Sequence, residues 1–439
     1  MESYTVKQGD TLGGIALRFL GTETRWKEIV IKNPQLAMRK RMADGSPAIV
    51  PGDILVFSRE NPGVVGSSYS GAGPAAASAP GQYVALDQSA PRDISVTVGG
   101  REFTGFTAYT LSLPSDSFDA FSFSSVWDAS RAECRKAFGA FSYADCAVKM
   151  GGEVVFSGTL LPASPSISEN SRTISIQGYP KCGVLGDSCL PPTAFPAEFR
   201  GLSISQIARK CAEPFGVGVK VDGDEGGPFG EGVALSPSET VLSFLEKLAR
   251  QRGLVISNTP SGELLLYSPA EESPSSSFRE GVPPFLSCRA QFDGQKMFSH
   301  VVGMAPAGGR KDEKSASFTY ENKFLTSRGI LRVHCETIED AQAGTIEGAT
   351  KALAARMFAS SARWSLSVAG HRDSRGRLYR KNQTVTVTAP DAEIYRETRL
   401  VVDEVTFRRG DSEGEVAELS LVLPGVRSGT LPESFPWEE

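Results

Sequence analysis

Residues 239–253 read ETVLSFLEKLARQRG, and residues 262–267 follow as GELLLY. In the first stretch Val241, Leu242, Phe244, Leu245 and Leu248 fall at helical spacing with charges between them, which predicts an amphipathic helix. Gly253 suits the left-handed residue that ends one. Ser236-Pro237-Ser238-Glu239 has the form of a capping box, with proline at the favoured first position, and predicts where that helix starts. Leu254–Ser257, a Thr259-Pro260-Ser261-Gly262 turn and Leu264–Tyr267 then predict a hairpin. Upstream, Ser203-Ile204-Ser205-Gln206 is another capping box, opening a helix with Ile204, Ile207, Ala208 and Cys211 on one face, and Val217–Val221 is strand-like. Residues 200–284 are therefore expected to form an α/β domain of order α-β-α-β-β.

On both sides the period changes from helical to alternating. Between 92 and 199, Ile94, Val96 and Val98 alternate, and Gly99-Gly100 and Gly151-Gly152 each sit where a tight hairpin would turn. Tyr109, Leu111 and Leu113 alternate next, then Phe118, Phe121 and Phe123, with a polar, partly helical insertion at 129–138. From 285 to 428, Trp364–Val368, Thr384–Thr388, Leu400–Phe407 and Val416–Leu423 read as strands, and Ala-rich Ile338–Phe358 as a helix. The fold class expected is α+β and β-rich: two small antiparallel β-barrels separated by the α-β-α-β-β insertion domain. Residues 429–439 are expected to be a C-terminal tail.

The first 60 residues are a separate small unit. Tyr4-Thr5-Val6 alternates, Gly9-Asp10-Thr11 can cap a helix carrying Leu12, Ile15, Ala16 and Phe19, and Asn33-Pro34 stops a second one. Residues 61–91 hold a single charged residue, Asp87, among Gly, Ala, Ser and Pro, the composition of a flexible tether.

These patterns resemble known families. Tyr4–Leu12, Ile15-Ala16, Trp26, Asn33-Pro34 and Pro51–Leu55 resemble a LysM module, giving a βααβ unit, with extra residues at 37–48. By that resemblance Gly9, Asp10, Thr11, Leu12, Asn33 and Pro34 form glycan-binding or docking loops. Docking is favoured over peptidoglycan binding, because the same residues also serve as turn, cap and helix stop. Residues 239–253 and 262–267 look like the late-control protein D and Mu-type tail hub families. Ser95–Gly100, Gly152–Gly158, Ser367–His371 and Leu400–Leu423 resemble the flanking sheets, in order. The resemblance implies a structural baseplate hub of a contractile phage or phage-derived tail, located in the virion tail baseplate and assembled in the host bacterial cytoplasm. It also implies a homotrimer acting as tube–spike adaptor, with the tail tube protein, the central spike protein, baseplate wedge proteins and the tape-measure protein as partners.

The remaining features point away from chemistry. A net charge of −5 disfavours duplex DNA as a partner. No apolar run approaches the ~20 residues that span a bilayer, and the N-terminus has no secretory pattern. Seven cysteines without a C-x-x-C pair read as reduced thiols. His300, His334 and His371 are far apart, and His334-Cys335 is too few ligands for a zinc site. Asp222–Gly227 reads as a polar turn, and Arg372, Arg375, Arg377, Arg380 and Lys381 as a solvated loop. No catalytic residues, metal or cofactor are expected. A LysM-anchored cell-wall hydrolase or a host-receptor adhesin is the alternative, and the hydrolase would need a catalytic acid that no motif here supplies.

Overall fold

The computed structural model describes residues 2–7, 11–12, 15–16, 29–30, 33, 36, 48–51, 53–57, 83–86, 93–169, 171–230, 232–269, 272–304, 317–338, 343–410, 414–425 and 435–437. The chain divides into two compact units, Met1–Ala79 and Pro80–Glu439. In the first, β1 (Glu2–Thr5) pairs antiparallel with β2 (Ile54–Phe57), Thr5 opposite Ile54. Val6, Leu12, Ile15, Ala16, Ile29, Leu36 and Leu55 make its core.

The second unit begins with β3 (Tyr83–Ala85), β4 (Ile94–Val98), β5 (Arg101–Thr104), β6 (Ala108–Pro114) and β7 (Ala120–Val126). Helix α1 (Ala132–Ala137) leads to β8 (Asp145–Met150), β9 (Glu153–Ile167) and β10 (Arg172–Pro180). Both Gly-Gly pairs turn hairpins with positive φ, 55° and 81° at Gly99-Gly100, 58° and 85° at Gly151-Gly152. Residues 83–85, expected inside the tether, instead add a parallel strand to β5, and Leu86 N donates to Thr104 O at 2.8 Å.

The central domain follows: β11 (Glu198–Phe199), α2 (Ile204–Ala212), β12 (Val219–Asp222), β13 (Val233–Ala234), α3 (Val241–Gln251), β14 (Val255–Asn258) and β15 (Leu264–Tyr267). The Ser203–Gln206 capping box closes reciprocally. The one expected at 236–239 does not. Ser236 accepts from Glu239 N in a turn, and Thr240 caps α3 through Ser243 N. Cys211, Phe244, Leu245, Leu264 and Leu266 belong to a core of this domain's own.

The chain then returns through β16 (Ser276–Arg279) and β17 (Phe285–Phe292). An inserted sheet of β18 (His300–Met304), β19 (Ser317–Glu321) and β20 (Val333–Thr337) follows, backed by α4 (Ala343–Ser361). It ends with β21 (Ala362–Ala369), β22 (Thr384–Ala389), β23 (Ile394–Arg409) and β24 (Val416–Val422).

The two expected barrels are not present. Among the described residues no sheet closes; the strands flanking the central domain form one open 14-stranded sheet, ordered β17-β21-β24-β23-β6-β7-β10-β9-β8-β4-β5-β3, with β22 and β16 branching from β23. The cause is the length of β23. Its first half carries β22, with Thr384 opposite Val401, and its second half carries β6, with Glu404 opposite Pro114 and Arg409 opposite Tyr109. A strand of 16 residues has room on one edge for two partners, so the two halves of the chain are joined edge to edge. One core, including Phe123, Phe156, Trp364, Phe407 and Leu419, runs through both halves.

The halves repeat one strand order. The first is β6-β7-β10-β9-β8-β4; the second is β17-β21-β24-β23-β22-β16. The shared neighbour pairs are antiparallel except the last, where β4 runs antiparallel to β8 but β16 parallel to β22. Each long strand carries a bulge against its hairpin partner, between Ala163 and Leu160 in β9 and between Val402 and Glu404 in β23.

A buried polar junction as the candidate functional site

Asp119, on the turn after β6, is buried, with its side chain 3% exposed. Its neighbours come from both other parts of the unit. Lys381 Nζ lies 2.7 Å from Asp119 Oδ1 and donates also to Pro114 O at 3.1 Å and Ser257 Oγ at 2.9 Å. Asn258 Nδ2 donates to Asp119 Oδ2 at 2.7 Å, and Asp119 N returns a bond to Asn258 Oδ1 at 2.8 Å. Tyr267, at the end of β15, donates to Ser115 O at 2.7 Å and accepts from Asn382 Nδ2 at 2.9 Å. Ser115 in turn donates to Asp403 Oδ1 at 2.6 Å, and Asp403 is the extra residue of the β23 bulge.

This network ties the central domain to the strand junction. Burial pushes the Asp119 carboxyl above the ordinary carboxylate range, and the Lys381 ammonium and the Asn258 amide pull it back. The connection is reinforced by backbone: Cys182 N donates to Gly262 O at 3.0 Å. Gly262 has φ +85°, and a Cβ there would lie 2.5 Å from Ser157 O of β9, so the 259–262 turn seats on the sheet only as glycine. Beside the network opens a cleft of about 780 Å³, lined among others by Leu113, Val155, Lys220, Glu263 and Tyr379. The Thr259 and Ser261 hydroxyls in its lining are used within the turn: Ser261 Oγ donates to Glu263 Oε2 at 3.0 Å, and Thr259 and Ser261 bond at 2.8 Å.

The basic loop expected to be solvated is therefore divided. Arg377 pairs with Asp373 at 2.8 Å near the surface, whereas Arg372 reaches Met150 O at 3.2 Å and Lys381 enters the junction. No local signal distinguishes Lys381 from its neighbours, because its partner is 262 residues away. The acidic turn serves the fold: Glu225 accepts from Ser205 N at the start of α2, and Asp224 from Gly226 N. All seven cysteines are free, and among the described residues no three His, Cys, Asp or Glu side chains come together as a metal set. His371 is buried, its pKa pushed down by burial and drawn up by Glu415, while His334 lies 3.6 Å from Glu336. Among the described residues no helix is long and apolar enough to cross a membrane.

Of the loop residues named in the LysM unit, Gly9, Asp10 and Pro34 lie outside the described residues. Thr11 is exposed and its carbonyl accepts from Ile15 N at 2.9 Å. Leu12 belongs to the core, and Asn33 is buried with Nδ2 donating to Ile29 O at 2.7 Å. Both side chains thus support the unit from within.

Residues 4–57 match the LysM domain family. Residues 182–268 match the family described as baseplate hub protein gp44-like, second domain. The chain is 25% identical over 283 residues to the baseplate hub protein gp44 of Escherichia phage Mu, covering 62% of this chain and 73% of that one. Two solved structures share the fold at a TM-score of 0.65. The 43 kDa tail protein of prophage MuSo2 from Shewanella oneidensis is 23% identical, covering 76% of this chain and 99% of that one. The tail protein from Neisseria meningitidis MC58 is 21% identical, covering 77% and 98%.

Proposed function

We propose that this chain, a gp44-like baseplate hub protein of phage-type tails fused to an N-terminal LysM domain, forms a trimeric ring that joins the sixfold tail tube to the threefold central spike. The protein is a structural component, not an enzyme. The repeated strand order supports the ring. Two like units per chain and three chains give six similar positions around one axis, and a closed cyclic assembly reuses one interface without open polymerisation. In this reading residues 92–199 and 285–428 supply the ring and residues 200–284 stand on it through the Asp119–Lys381 junction. Residues 61–82 tether the LysM domain, the chain joining the sheet at β3, and 429–439 follow its last strand. The partners are the tube and spike proteins along the axis, and wedge and tape-measure proteins around it. Assembly takes place in the host cytoplasm, and the ring ends in the virion tail. A net charge of −5 suits a passage that must not hold phosphate. Averaged images of the assembled tail test the ring by counting copies. Three copies on the axis are expected; six copies, or copies only at the periphery, overturn the proposal.

The LysM domain docks on another baseplate protein. The support is that Leu12 and Asn33 are turned into its core. In a pull-down with insoluble peptidoglycan the full chain should stay in the supernatant. Retention that is lost on Asp10→Ala or Asn33→Ala at unchanged fold would assign the domain to glycan instead.

A further inference from the structure

The central domain rests on the large sheet along one side. In its own sheet, Ser257 of β14 lies opposite Leu265 of β15, and Leu265 beside Lys220 of β12, so the three side chains form one row on a single face. Contact with the large sheet fades along that row. Ser257 is fully buried against Pro114 O, Ser117 O and Lys381, Leu265 is half-buried, and Lys220 is exposed. The two sheets thus diverge from a closed end at β14 to an open end at β12, and the cleft of about 780 Å³ is the wedge between them.

The wedge has the parts of a hinge. Strand β15 is held at both ends, by Gly262 against Ser157 O of β9 and by the Tyr267 hydroxyl on Ser115 O. Strand β12 has β15 on one edge and, among the described residues, no strand on the other. Away from the wedge, cavities of about 250 and 160 Å³ separate α3 from α4, with Arg250 and Arg356 lining both. The domain therefore has unfilled space on both sides of its anchored hairpin, and a roll about that hairpin closes one space as it widens the other.

We propose that the central domain rolls about β14–β15 as a rigid body and closes the wedge by pairing Lys220 with Glu153 and Glu263 with Arg380. Each wall of the cleft carries one cation and one carboxylate: Lys220 and Glu263 on the central domain, Arg380 and Glu153 on the sheet side. Among the described residues none of the four forms an ion pair in the open wedge, and Glu263 accepts from Ser261 Oγ. The same movement covers Val154, 42% exposed on β9, and half-buried Leu265. Because the charges lie toward solvent, salt screens them, and the closed fraction falls as ionic strength rises. The domain has its own core, from Cys182 to Leu266, and so moves as one piece. The device sets the angle at which residues 200–284 stand on the sheet, and it does not depend on how many copies the ring holds.

Exposed Cys189 and Cys335 are first changed to serine; half-buried Cys288 stays, its thiol pushed up to about 11 by burial. Asp222→Cys on β12 and Arg101→Cys on β5, both at exposed positions, then carry spin labels in the full chain. The labelled chain is diluted with excess unlabelled chain, so that only distances within one copy are read. The distance distribution should shift between about 1 M and about 0.01 M salt, as the screening length grows from about 3 to about 30 Å. Glu153→Lys should abolish the shift, and Glu153→Lys with Lys220→Glu should restore it. A distribution that ignores salt overturns the proposal, as does a shift that survives Glu153→Lys or that the double exchange fails to restore. Hydrogen exchange in β14 and β15 should stay the same at both salt concentrations; protection lost there at either one would mean that the domain unfolds rather than rolls, and would overturn the proposal equally.

Discussion

Lys381 holds the only ammonium within hydrogen-bonding reach of Asp119 among the described residues. Changing Lys381 to alanine strands a buried carboxylate, which should cost about 3 kcal/mol and appear as a lower denaturant midpoint. Lys381→Ala and Asp119→Ala together should cost less than the sum of the two, because neither partner is then left alone. The pH dependence has a definite sign. A carboxyl raised on folding contributes stability in full below its ordinary pKa and loses it as pH rises through the raised one. The Lys381→Ala deficit should therefore be smaller in mild acid than at neutral pH; an equal deficit at both would mean that Asp119 is not the group left stranded. None of this was legible beforehand. Five cations within ten residues read as a solvated loop, and only tertiary structure brings Asp119, Ser257 and Asn258 to one of them. By contrast, the stop at Gly253 and the cap at Ser203 rest on neighbours within a few residues and were readable from the sequence.

Among the elements, β23 decides the architecture. Thr406 lies opposite Ser112 on one side and Glu418 on the other, so Thr406→Pro removes a donor in mid-sheet and should cost 3 kcal/mol or more (about the proline penalty). Hydrogen exchange should then lose protection in β6 and β24, while the central domain, which has its own core, keeps it. Uniform loss across both would show that the central domain does not fold independently of the sheet. The barrels expected from the sequence failed at this element. Alternation identifies strands and their faces, but which edge meets which is fixed by pairing between residues such as Ser112 and Glu404, 292 apart. The expected helix start at 236–239 failed for a local reason: Glu239 N bonds Ser236 O in a turn around Pro237-Ser238, which delays the helix until Thr240 can cap it. At the C-terminus, Phe435 stacks on Trp437 at 4.8 Å, and Trp437 meets Phe292 and Trp364. Phe435→Ala with Trp437→Ala should cost about 3–5 kcal/mol and shift tryptophan emission, since Phe435 is buried among Phe324 and Phe358. Unchanged stability would mean that the tail only rests on the sheet.

For the whole molecule, the order in which the parts become available matters as much as their final places. The strands β4 to β10 leave the ribosome long before β23, and β6 must wait for a partner 292 residues downstream. At about 5–20 residues per second this is a delay on the order of tens of seconds. The central domain, whose core is drawn from residues 182–266, can fold in that interval. The growing chain meanwhile carries an uncovered strand beside its finished neighbours, a surface on which an unfinished second copy could pair as readily as the proper β23. Closing so long a loop is also slow once the chain is complete, since non-local pairing must precede its reward. Arrested nascent chains ending before Ile394 should accordingly be protease-resistant across the central domain and sensitive at β6. Extending them past Val422 should protect both, and early resistance at β6 would show that another strand covers it first. The feature that joins two halves into one sheet thus makes the last strands synthesised the step that commits the body to its fold.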